Sequence, residues 1–135
     1  MPTLVPTVLR LNPGDDLRDA LEGCAYDLVA SALFVIAGIG SLRIATIRFA
    51  GAAQPEALEG DWEITSLSGT VSPDDSHLHI VVAGSDGTVL GGHVSKGCVV
   101  RTTAEILVAK LDGLRFSRED DPATGYRELK IESDG

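Results

Sequence analysis

Aromatic residues are scarce, 4% of the 135 residues, although hydrophobic residues reach 44%. The core therefore has to be built from Val, Ile, Leu and Ala, and a β-branched content of this kind favours sheet. Cysteine is as sparse: Cys24 and Cys98 stand far apart. Two such residues read as buried free thiols of a reducing compartment, which excludes a disulfide framework. No apolar run reaches the roughly 20 residues needed to span a bilayer. The first residues, with Pro2 and Pro6, lack the basic-then-apolar order of a targeting segment. The sequence thus predicts a soluble, cytoplasmic chain of one domain, 1–135, large enough to fold without a metal staple.

Clustered positive charge is missing too. The net charge is −9, and the eleven Lys and Arg residues are scattered between Arg10 and Lys130 without a run. Proteins bind duplex DNA largely by neutralising phosphates, so a basic stripe is the least a DNA reader needs. There is no internal repeat and no low-complexity segment. Gly38 and Gly40 are too few for a phosphate loop and precede no helical pattern, so a tight turn with close backbone packing is predicted there.

What is present is histidine in one place. All three, His77, His79 and His93, flank a strong hairpin signal, Gly84-Ser85-Asp86-Gly87. In a strand, residues i and i+2 share a face, so His77 and His79 aim the same way if 76–83 is extended. His93 depends on register. A two-residue Asp86-Gly87 loop leaves it on the wrong face, whereas a three-residue Ser85-Asp86-Gly87 loop sets it directly opposite His79. A bulge at Gly91-Gly92 is the other route to the same facing. Directly opposed Cβ atoms lie about 4.5–5.5 Å apart, close enough for imidazoles to share a metal. Imidazole suits zinc, copper, nickel and iron, and zinc is the first choice. Three protein ligands leave a fourth position open, as in catalytic sites.

Along the chain, 5–11 reads as a strand ended by Asn12-Pro13-Gly14. A helix follows, capped by Asp15 or Asp16, with Leu17, Ala20, Leu21, Cys24 and Leu28 on one face. Strands are predicted at 33–36, 43–49, 62–71, in the histidine hairpin and at 98–111. Residues 51–60 and 117–125 read as loops, and 129–131 as a last edge strand. The expected class is α+β, a mostly antiparallel, strongly curved sheet with one flanking helix.

The segment Leu58-Glu59-Gly60-Asp61-Trp62-Glu63-Ile64-Thr65-Ser66-Leu67-Ser68-Gly69-Thr70 resembles the plant- and prokaryote-conserved domain (PPC, or DUF296). The resemblance continues through His77-Leu78-His79, Gly91-Gly92-His93 and Gly97-Cys98-Val99-Val100-Arg101-Thr102-Thr103-Ala104-Glu105. It also takes in the opening 10–15 and the closing 124–129. It implies a homotrimer-forming α+β subunit whose histidines hold a divalent metal, taken to be zinc. Similar histidine constellations occur on the related folds of acetolactate decarboxylase and of a zinc-dependent ester hydrolase. Plant members carry an Arg-Gly-Arg-Pro AT-hook that enters the DNA minor groove, and prokaryotic members share their DNA-binding label. This chain has no Arg-Gly-Arg-Pro segment.

Three functions follow as expectations. The first is a metal-binding trimer with small-molecule, hydrolase- or lyase-type chemistry. Glu63 and Glu105 are its candidate general acid/base groups and Arg101 its anion partner. Ser66, Ser68, Thr102 and Thr103 read as sheet hydroxyls, since no base is spaced to activate them. The second is a DNA-binding or regulatory protein acting through a patch of Arg43, Arg48, Lys96 and Arg101. The third is a non-catalytic assembly module.

Overall fold

The computed structural model describes residues 1–134. Eight strands and one helix follow in the order β1 (Thr3–Leu11), α1 (Leu17–Asp27), β2 (Leu33–Arg48), β3 (Glu56–Val71), β4 (Ser76–Ala83), β5 (Val89–Val94), β6 (Val99–Asp112), β7 (Leu114–Asp121) and β8 (Tyr126–Ser133). This is the mostly antiparallel α+β architecture that the β-branched composition predicts.

Strands β1-β6-β2-β3-β4-β5 form one antiparallel sheet and β7-β8 a separate hairpin. β5 also turns back onto the far end of β2, pairing Ile47 with Val94 and Arg48 with His93. Strands β2 to β5 therefore close on themselves, and register shifts in β2 and β3 supply the bending that closure requires. One face of the sheet, with Val35, Leu42, Ile80, Val100, Ile106 and Val108, is fully buried. Helix α1 covers part of it with Leu17, Leu21, Cys24 and Ala25. Each such side chain contributes about 1.5–3 kcal/mol on leaving water, so the core holds the fold without a metal.

Asp16 does two jobs at the start of α1. Its side chain accepts from the Asp19 amide at 3.0 Å as N-cap and from the Gly97 amide at 2.6 Å. This ties the helix to the loop before β6. At the other end the Ala30 amide bonds the Ala25 carbonyl at 2.9 Å and the Val29 amide bonds Tyr26 at 3.0 Å. Such a Schellman ending wants glycine at the left-handed position, yet Val29 holds it with φ 52°. Val29 is exposed and packs on little. Val29→Gly is therefore expected to stabilise the chain by about 1 kcal/mol, read as a higher urea midpoint. An unchanged or lower midpoint would contradict the strain.

Three expectations need correction. Gly38-Ile39-Gly40-Ser41 is not a turn: β2 runs through it unbroken, and the two glycines instead let Leu67 and Ala104 approach closely. The loop expected at 51–60 ends earlier, because β3 begins at Glu56. The charged stretch 117–125 is mostly strand, with β7 reaching Asp121 and β8 resuming at Tyr126. Cross-strand ion pairs account for it, Arg115 with Glu132 and Lys130 with Glu119. Both cysteines are free and buried, as expected, and burial pushes the Cys98 thiol up to about 11.

Candidate metal centre

The site starts from a turn. The Gly84 amide bonds the Thr88 carbonyl at 2.7 Å and the Gly87 amide bonds Gly84 at 3.0 Å, which closes a three-residue Ser85-Asp86-Gly87 loop. Gly87 takes the left-handed φ of 86° that this loop demands, and the Asp86 carboxylate accepts from the Thr88 amide at 2.9 Å. From there the ladder pairs Ala83 with Val89 and, four steps on, His79 with His93. Of the two routes left open by the sequence, the longer loop is the one taken, and no bulge at Gly91-Gly92 is needed.

His77 lies two residues back on the same face. The three rings form a tight cluster, with centroids 4.8 Å apart for His77 and His79, 4.7 Å for His79 and His93, and 5.5 Å for His77 and His93. The Nε2 atoms of His77 and His79 are 3.1 Å apart and share a hydrogen bond. One nitrogen from each ring lies within 4.8 Å of the others. A tetrahedral ion with bonds of about 2.0–2.1 Å sets its ligand nitrogens roughly 3.3 Å apart. The closest pair already has that spacing and the third needs only a small ring movement, so the residues fit a metal.

Electrostatics favour the ligand form. Burial, then the His79 ring and Arg118, hold His77 below the ordinary imidazole value of 6.5, against the opposite pull of Glu128 and Asp75. Burial, then Arg48 and the other two rings, do the same to His93. Both imidazoles are thus neutral, lone pair free, at neutral pH. The sign follows: above 6.5 protons do not compete, and as pH falls through the lowered values each ring takes a proton and loses the lone pair a metal would need. In the metal-free chain the unfolded state takes those protons first, so stability also falls below pH 6.5. Metal content measured by equilibrium dialysis is expected to be flat above that pH and to collapse below it. A constant content down to pH 4.5 would contradict the site.

The other candidates stand elsewhere. Glu63 is exposed and faces Ala83, four residues past His79, about 13 Å along the strand. Glu105 faces Arg10 and Ile39 on β6, three strands from β4 and so about 14 Å away. Arg101 is bound to Asp61 at 2.8 Å. The metal-capable group holds the histidines alone. Of the basic residues considered for DNA, Lys96 contacts Asp19 at 2.7 Å and Glu22 at 3.8 Å, and Arg48 donates to the Ala52 carbonyl at 3.2 Å. Sequence reasoning passed over Arg118, whose Nη2 donates to Thr70 Oγ1 at 3.1 Å, opposite His77 in the ladder.

A curved antiparallel sheet with a three-histidine cluster on its outer face defines the class, a small metal-capable α+β domain. The chain belongs to the Plants and Prokaryotes Conserved (PCC) domain family, whose model matches residues 2–112. A protein of Salmonella enterica is 36% identical, with a TM-score of 0.95 covering 98% of this chain and 96% of its own. A metal-containing protein of Archaeoglobus fulgidus is 30% identical, with a TM-score of 0.81 covering 93% of each chain. The bifunctional protein GlmU of Synechococcus sp. (strain JA-3-3Ab) is 48% identical over 92% of this chain. That match takes up 20% of GlmU, so the chain spans about a fifth of this relative's length.

Proposed function

We propose that this chain binds one divalent metal ion, zinc, through His77, His79 and His93 and acts on a small molecule at the coordination position they leave open. The observation that carries the reading is the convergence of all three imidazoles of the chain within 4.8 Å. The metal-containing A. fulgidus relative supports it. Zinc, when bound, acidifies its water to a pKa of about 7 and polarises a carbonyl oxygen, the chemistry of hydrolases and lyases. The chain's own part is to keep the His77 and His93 imidazoles neutral, to orient all three rings by the ladder and to leave the fourth position facing outward.

The assembly belongs to the same proposal. The chain forms one unit, and three copies make a homotrimer. Leu4, Val8, Phe34, Ile36 and Ile39 expose apolar surface beyond what a monomer of this size needs. Glu63, Glu105 and Arg101 reach a metal as acid/base and anion-binding groups only where a neighbouring copy brings them there. Duplex DNA binding finds little support: the net charge is −9, and Lys96 and Arg101 of the candidate patch are paired with carboxylates. Metal analysis of untagged protein, run with sedimentation, tests the reading. One zinc per chain on a species of three chains is expected, and a metal-free protein would refute it.

A further inference from the structure

The β7-β8 hairpin leans over the outer face of the sheet, beyond the residues that the family model matches. Phe116 meets Phe34 edge-on, ring centroids 5.9 Å apart. Arg118, two residues on and so on the same side of β7, bonds Thr70. Phe34 and Thr70 are themselves opposed, and the next residue in that row is His77. The hairpin thus lays an aromatic ring and then a guanidinium along a row that ends at the histidine cluster. Beside Thr70, which the guanidinium reaches, lies a recess of about 120 Å³ lined by Ser68, Gly69, Thr70, His77 and His79.

Arg118, like Arg48, is unlike the other half-buried cations of this chain. Arg18 and Lys110 are paired with carboxylates, whereas Arg118 has no carboxylate within 4.0 Å among the described residues. Its Nε is buried without any acceptor. The backbone around it is well held: its amide donates to Asp74 Oδ2 at 2.9 Å and its carbonyl accepts from Arg127 at 2.8 Å. A partly buried guanidinium with donors to spare is costly unless it meets an anion. Arg48, opposite His93, adds a second positive charge on the other flank of the cluster.

We infer that Arg118 is the anion anchor of this site and that its ligand is a small carboxylate, one oxygen directed at the metal position and the other at the guanidinium. The planar fork of arginine matches a carboxylate, and the recess admits only a few heavy atoms. Glu128 and Asp75 are close enough to act on His77, which disfavours a dianion such as phosphate more than a monoanion. The inference rests on the metal reading above, and its test separates the two.

Cobalt(II) replaces zinc in this chain, and acetate is titrated against the visible cobalt spectrum. The wild type is expected to bind acetate. Arg118→Met is expected to hold the same amount of cobalt but to bind acetate at least about tenfold more weakly. Arg118→Lys, which keeps the charge without the fork, should recover only part of this, and it decides the matter where the Met variant does not fold. Equal acetate affinity in all three proteins, with cobalt bound, overturns the anchor and leaves the metal site standing. Phosphate binding tighter than acetate and equally dependent on Arg118 overturns the carboxylate class. A wild type that takes up no cobalt overturns both readings.

Discussion

Replacing His79 with alanine is expected to abolish metal binding while leaving the fold in place. His79 is the central ring of the proposed site: its centroid is 4.8 Å from that of His77 and 4.7 Å from that of His93, and it is the partner of both. Loss of an outer-shell contact typically costs 10–100-fold in metal affinity, so loss of the middle ligand should exceed about 100-fold. The side chain is exposed and the buried aliphatic face lies on the other side of the sheet. The metal-free variant should therefore stay within about 0.5 kcal/mol of the metal-free parent in urea unfolding. Full metal content at native affinity in H79A would remove His79 from the site. Unfolding in step with metal loss would make the ion structural instead.

The second large effect concerns a glycine beneath the cluster. Gly69 pairs with Leu78, between the two histidines of β4, and has φ 150°. A Cβ there would overlap the His77 carbonyl oxygen and lie 2.8 Å from Leu78 Cα. Both obstacles are backbone and cannot rotate away. Gly69→Ala must push β3 and β4 apart, at a cost of about 3–5 kcal/mol from overlap and φ together. It must also displace His77, so metal affinity should fall with stability. A urea midpoint within about 1 kcal/mol of the parent would contradict this close approach.

The hairpin was legible because its determinants are local. Ser85-Asp86-Gly87 contains both the carboxylate that caps the turn and the glycine that closes it, and period-two spacing does the rest for His77 and His79. The choice between two loop lengths was not legible, since either suits Asp86-Gly87 and only the pairing of the whole ladder decides. The unbroken run of β2 was hidden because two nearby glycines usually break a strand, whereas here Leu67 and Ala104 press against them. Strand β7 was hidden because Arg118-Glu119-Asp120-Asp121 has poor β propensity, and what holds it lies in β8. Arg118 itself was invisible: its partner Thr70 is 48 residues away, a juxtaposition no spacing rule encodes.

The return of β5 onto β2 determines when the histidine cluster is assembled. A six-residue strand at a free edge frays, and its amides exchange with solvent through small local openings. Here the segment around His93 and Val94 is zipped on both sides, by β4 and by β2, so its release requires parting a ring of strands rather than lifting an end. Hydrogen exchange at Val94 should accordingly be slow in the metal-free chain and change little when metal arrives. On the metal reading proposed above, the ion would enter a place already formed, its capture governed by diffusion and ring reorientation rather than by folding of the strand that receives it.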